Sequence, residues 1–134
     1  MTTSYSYHCS RCGAMLNPGG IISLVAERNG KRTLIGFPPE PGNYILYTPP
    51  RTAFNHGDTY DFLCPVCHAD LISRRHRNLC ELTLYEDGIR KTVLFSRVAG
   101  ERATYVLKDD ETRPSRHGEH HDKYNDDTID IDVG

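Results

Sequence analysis

The sequence predicts a small, mainly β protein, an antiparallel sheet of β-hairpins with little helix. Short runs rich in β-branched and aromatic residues recur along the chain, and glycine-containing turns separate two pairs of them. No segment keeps an apolar period of 3.6 residues for ten or more positions, so any helix is short. The length of 134 residues is that of about one ordinary domain. Only 37% of the residues are hydrophobic, against the roughly 45–50% usual in globular chains. The core is therefore small for the length, and small cores are commonly supplemented by disulfides or a structural ion.

Taken in order, Ile21 to Ala26 is short and β-branched, and Asn29-Gly30 follows, a dipeptide suited to the two positive φ angles of a two-residue hairpin turn. Lys31 to Phe37 is the returning strand. Pro38, Pro39, Pro41, Pro49 and Pro50 bracket Tyr44-Ile45-Leu46-Tyr47, which reads as a short edge strand between stiff loops. Thr59 to Leu63 is a strand running into Cys64. Leu79 to Tyr85 and Ile89 to Phe95 form a second hairpin around Glu86-Asp87-Gly88, and Thr104 to Leu107 adds a last strand. Ala69 to Asn78 is the best place for a short helix. No repeat is evident beyond the cysteine pairs.

Charge divides the chain. Residues 1–108 hold 13 Lys+Arg and 9 Asp+Glu, a balance of +4, whereas residues 109–134 hold 3 and 9, a balance of −6. Residues 109–127 also lack any aliphatic side chain, a composition too polar to fold alone. The expected organisation is a β domain over 1–108, carrying the proline-rich stretch as an insertion, and an acidic, histidine-containing tail over 109–134. Within that tail His117, His120, His121 and Asp122 have the composition of a metal-collecting tract, although such stretches are mostly plain linker. Thr128 to Val133 alternates apolar and acidic residues, a pattern that can add a strand to an exposed sheet edge of its own body or of a partner.

The N-terminal residues have neither a basic region nor an apolar stretch of export-signal length, and no apolar run is long enough to span a bilayer. The expectation is a cytoplasmic protein without a membrane role. In a reducing compartment paired cysteines are more often metal ligands than disulfides, and the odd count of five argues against a closed disulfide set.

Cys9-Ser10-Arg11-Cys12 and Cys64-Pro65-Val66-Cys67 are two C-x-x-C units. Two intervening residues let one tight turn aim both thiolates at a single ion about 2.3 Å away. The residue after each second cysteine tends to need an open or left-handed backbone. Gly13 supplies it freely, and His68 belongs to the types enriched there. These four cysteines resemble those of the zinc ribbon class, in which two knuckles at the ends of β-hairpins clamp one zinc. The resemblance covers about ten residues, and the 51 residues between Cys12 and Cys64 exceed the roughly 15–20 of the compact pattern. It implies one Zn2+ held by Cys9, Cys12, Cys64 and Cys67. Thiolate tetrahedra also suit iron, so zinc is preferred only as the commoner occupant. Two separate redox disulfides are the other reading, although the βαβ pattern of a thioredoxin-like dithiol is missing. His8 and His68 read as neighbours of the site rather than ligands, and Cys80, between Leu79 and Leu82, as a core thiol.

Four thiolates would close the coordination sphere and leave no open position for a water or substrate, which makes the metal structural. The chain has no phosphate-binding glycine loop, no G-x-S-x-G and no H-E-x-x-H. His56, Asp58 and Asp61 read as loop solvation rather than an acid–base group. The expected function is therefore non-enzymatic binding, with no small-molecule substrate evident. Arg74, Arg75 and Arg77, directly after the second knuckle, would meet the phosphates of nucleic acid, with Arg11 of the first knuckle extending their patch. Two other roles compete: a protein-interaction or regulatory adaptor using the proline-rich loop and the C-terminal strand, and a thiol redox protein.

Overall fold

The computed structural model describes residues 4–50, 52, 54–74, 76–108 and 115–120. Strands β1 (Tyr5–Cys9), β2 (Ile22–Arg28), β3 (Lys31–Phe37), β4 (Asp61–Leu63), β5 (Leu79–Glu86), β6 (Ile89–Ser96), β7 (Thr104–Lys108) and β8 (Ser115–His117) form two antiparallel sheets. One has the order β1-β5-β6-β7-β8 and the other β3-β2-β4. Among the described residues there is no helix, hence none long and apolar enough to cross a membrane.

Both hairpins form where the turn chemistry demands them. Asn29 and Gly30 take φ of 54° and 77°, and Asp87 and Gly88 take 51° and 85°, the paired positive angles whose twist matches that of the flanking strands. Register then sorts the faces. Ile22, Leu24 and Ala26 on β2 meet Cys80, Leu82 and Leu84 on β5 in one buried core that also takes in Ile35, Val93 and Cys64. Cys80 is fully buried there, as expected of a thiol acting as a small hydrophobe.

The sequence expectations fail at two elements. The segment Tyr44–Tyr47 is not a strand: only Tyr47 pairs, through two backbone bonds with Gly36, and Thr48-Pro49-Pro50 then stops the pairing. Proline has no N–H to continue a ladder. Ala69–Asn78 is not a helix either. Asp70 and Ile72 make isolated bridges to Leu63 and Cys80, and the described residues of this stretch end in a turn in which Leu79 N–H donates to the His76 carbonyl at 3.0 Å. Two strands were not anticipated. Tyr5–Cys9 lacks β-branched residues yet pairs along its whole length with β5. Ser115–His117, beyond Asp109, pairs with β7.

The strand pairings also show that the chain repeats itself far beyond the cysteines. The first knuckle lets Cys9 N–H donate to the Ala14 carbonyl and Leu16 N–H to that of Tyr7; in the second, Cys64 N–H donates to Ala69 and Leu71 N–H to Phe62. Tyr5, Cys9, Cys12, Ala14 and Leu16 thus answer to Tyr60, Cys64, Cys67, Ala69 and Leu71. The hairpins answer as well, Asn29-Gly30 to Asp87-Gly88 and Phe37 to Phe95. The lone Gly36–Tyr47 bridge occupies the register position of the Leu94–Tyr105 pair. The halves are interlocked, because β1 pairs with the second hairpin at β5 and β4 pairs with the first hairpin at β2. Such reciprocal exchange is what a two-fold relation between repeats requires.

Candidate metal centre

Each knuckle starts where a short strand ends. β1 carries Cys9 at its last residue, and β4 delivers Cys64 one residue past its end. The turn then folds back on itself. Gly13 N–H donates to the Cys9 carbonyl at 3.0 Å and His68 N–H to the Cys64 carbonyl at 2.9 Å. Both residues are left-handed, at φ 78° and 65°, as the sequence predicts.

The turn also aims amides at sulfur. Arg11 and Cys12 N–H groups donate to Cys9 Sγ, both at 3.3 Å, and Ala14 N–H donates to Cys12 Sγ at 3.4 Å. In the second knuckle Val66 and Cys67 N–H groups donate to Cys64 Sγ at 3.3 and 3.4 Å. Ala69 N–H bonds to Cys67. The amides at Cys9, Cys64 and Cys67 favour the ionised form of those sulfurs and so prepare the site for a cation.

The four sulfurs meet between the knuckles, all within 4.8 Å of one another. Cys9 Sγ lies 3.8 Å from Cys67 Sγ, and Cys12 Sγ lies 3.8 Å from Cys64 Sγ. A thiolate bond of about 2.3 Å to zinc gives a regular tetrahedron an edge of about 3.8 Å, so two opposite edges of the cage match those of a metal–sulfur tetrahedron. Cys9 and Cys64 are buried, Cys12 and Cys67 exposed. Cys9 and Cys64 respond oppositely to their surroundings. Burial pushes the Cys9 thiol up to about 12 against the pull of its two amides. Burial also opposes ionisation of Cys64, but there the Cys67 and Val66 amides and the neighbouring thiols prevail and lower it. A cation would relieve that competition.

Neither adjacent histidine is a ligand. His8 Nδ1 lies 3.0 Å from the Gly13 carbonyl and Nε2 lies 2.8 Å from Ser6 Oγ, so both ring nitrogens are engaged away from sulfur. His68 is exposed and is not among the residues that gather for one ion. Among the described residues, the four cysteines are the cluster that gathers closely enough for one ion. His117 and His120 are not part of that cluster: Ser115 lies against the first, and the second accepts the Arg102 N–H at 2.9 Å. His121 and Asp122 lie outside the described residues.

The basic segment is brought only partly into view. Arg74 and Arg77 are exposed, and Arg75 lies outside the described residues. Arg11 Nη2 donates to the Ile72 carbonyl at 3.1 Å, which lays the guanidinium of one knuckle against the chain leaving the other. The carboxylates near His56 are ion-paired. Asp58 pairs with Arg28 at 3.4 Å and Asp61 with Arg97.

Arg97 itself is a tie that sequence reasoning missed. It is buried, and its guanidinium donates to the Tyr60 carbonyl at 3.1 Å, the Arg77 carbonyl at 2.6 Å and the Asp61 carboxylate. It thereby joins the end of β6 to the strand entering the second knuckle and to the basic segment. No local pattern marks it, since its partners come from loops. A cavity of about 500 Å3 opens between the two sheets, lined by Phe37, Phe54, Phe62 and Phe95 among others, and none of the four cysteines reaches it.

Comparison with protein-family models, with curated proteins and with solved structures finds no match.

Proposed function

We propose that the protein is a non-enzymatic binding module in which one structural zinc ion, held by Cys9, Cys12, Cys64 and Cys67, locks two interlocked repeats and supports a basic surface for nucleic acid. The observation that carries the metal is the sulfur cage, with two opposite edges of 3.8 Å across the knuckles. Four thiolates fill a tetrahedron, so the ion takes no part in hydrolysis and acts through folding. The reading carries a cytoplasmic location with it, since reducing surroundings keep the thiols available.

Support for the binding surface comes from where the repeats differ. Leu16 to Ile21 is bridged in the first repeat by Asn17-Pro18-Gly19-Gly20, whereas the matching link in the second, Ile72 to Asn78, is longer and carries Arg74, Arg75 and Arg77. Arg11 lies against its start. Guanidinium groups fork onto phosphate oxygens, and a small cluster of them gives modest, strongly salt-dependent affinity. The test is binding of the zinc-loaded full chain to single-stranded RNA and to duplex DNA of unrelated sequence, over a range of salt. Affinity should fall with salt and should drop when Arg74, Arg75 and Arg77 are all changed to alanine. Binding that is absent at low salt, or unchanged in the triple variant, overturns the nucleic-acid reading.

A protein-interaction role has its own supporting observation. Leu34, Ile45, Leu46 and Tyr47, about the open side of β3, are all exposed by 46–57%. Capture of a specific cellular protein that survives nuclease treatment would favour this reading over the first.

A further inference from the structure

The two repeats differ most on their outer faces. In the second, Leu79, Leu94, Ala103 and Tyr105 form a small buried cluster on the side of the sheet away from the main core. Their counterparts by register in the first repeat are Ile21, Gly36, Ile45 and Tyr47. Ile21, Ile45 and Tyr47 are exposed by 40%, 54% and 50%. The same apolar positions are thus covered in one repeat and bare in the other.

The sheet edge differs in the same sense. β7 continues past Tyr105, so that Leu107 pairs with Thr92. In the first repeat the residue that corresponds to Leu107 in sequence is Pro49, which has no N–H to offer Leu34, the counterpart of Thr92; pairing stops at Tyr47, and the chain turns, Thr52 N–H donating to the Pro49 carbonyl at 3.3 Å. Gly36 bonds outward to Tyr47; with strand alternation, the peptide groups of Leu34 and Arg32 face the same open side. Among the described residues nothing pairs with that edge at Leu34. An open strand edge beside exposed apolar side chains is a template for one more strand.

We propose that residues 128–133 of this chain, which lie outside the described residues, are the occupant of that edge, adding beside Lys31–Leu34 and bringing Ile129, Ile131 and Val133 to Leu34, Ile45 and Tyr47. Three observations select this occupant. The described chain ends in the right place: Tyr44 Oη donates to the His117 carbonyl at 3.2 Å, and His120 N–H donates to the Arg102 carbonyl at 2.7 Å. The last described residues therefore lie beside the segment that bears Ile45 and Tyr47. The seven residues 121–127 can span up to about 23–25 Å, several inter-strand spacings. Charge and pattern also match. Thr128 to Val133 alternates apolar residues with Asp130 and Asp132, following Asp126 and Asp127, and the open edge carries exposed Lys31 and Arg32. A precedent lies within the fold, since β8 is already C-terminal chain added to the edge of the second repeat.

The test compares the zinc-loaded full chain, a truncation after His120 and an Ile129→Asp/Ile131→Asp variant, using amide hydrogen exchange and sedimentation. Metal content and exchange at β5 and β6 report that each protein is folded. The proposal expects a monomer in which the Leu34 amide and those of residues 128–133 are protected, with Leu34 protection falling at least 10-fold in both altered proteins. Equal exchange at Leu34 in all three overturns it. Protection that rises with protein concentration together with a dimer would assign the edge to a second copy, and overturns it as well.

Discussion

Gly13 and His68 occupy the same left-handed corner of two equivalent turns, and only glycine adopts that corner without strain. Gly13→Ala should therefore destabilise the metal-bound protein by about 1 kcal/mol, and His68→Gly should leave it unchanged or raise its stability by up to about 1 kcal/mol, because a side chain there costs roughly 1–2 kcal/mol. Denaturant midpoints of the zinc-loaded variants measure both. The ligands behave differently. Cys9→Ser or Cys67→Ser should lose metal and fold together, since the binding energy of a structural zinc is folding energy; elemental analysis and circular dichroism on the same samples check this. Cys80 has a third behaviour. Burial holds its thiol well above the ordinary range. The unfolded chain ionises it near its ordinary value of 9.0, whereas the folded chain keeps the proton. Its contribution to stability is complete below about pH 9 and is lost as pH rises further. Cys80→Ala should be less stable at neutral pH, by about 1–2 kcal/mol for the small cavity, yet lose less between pH 8 and 10 than the parent. Thermal unfolding across that range decides it.

At the scale of elements, legibility followed the locality of the signal. The two hairpins announce themselves through Asn29-Gly30 and Asp87-Gly88 because a turn is decided by two adjacent residues. The cysteine knuckles are legible for the same reason. Ala69–Asn78 reads as a helix in the sequence, yet the backbone of Leu71 and Ser73 is committed to Phe62 and to Leu79 and Glu81 at the start of β5, partners that a local pattern does not reveal. Tyr44–Tyr47 has the composition of a strand, but Pro49 and Pro50 leave it a single bridge. The repeat was hidden because few positions outside the knuckles are identical, and the longer link before Leu79 shifts the second hairpin out of step with its knuckle. Arg97 is the most consequential element-level tie that local reading missed. Arg97→Ala would leave the Tyr60 and Arg77 carbonyls and the Asp61 carboxylate without their donor, for a loss of about 2–3 kcal/mol. The loss should appear in urea unfolding while zinc content stays at its parent value.

At the scale of the whole molecule, the metal stands at the junction of two repeats whose strands have already changed places. β1 and β4 each belong to one knuckle and to the other repeat's sheet, so the cage and the two sheets depend on each other. A small core of this kind gains much from an ion whose apparent binding energy is about 10–16 kcal/mol, comparable to the entire stability of a domain. Chelation should therefore dissolve both sheets in one transition rather than loosen the knuckles alone, as hydrogen exchange at Leu24 and Leu82 followed after adding a strong chelator would show. Exchange rising only in residues 9–14 and 64–69 would mean that the sheets stand without the metal. The most direct test of the whole account is X-ray absorption at the metal edge, with elemental analysis, on the purified full chain. The account predicts one zinc per chain surrounded by four sulfurs at about 2.3 Å; a metal-free protein with both cysteine pairs oxidised, or a shell containing nitrogen or oxygen, would contradict it.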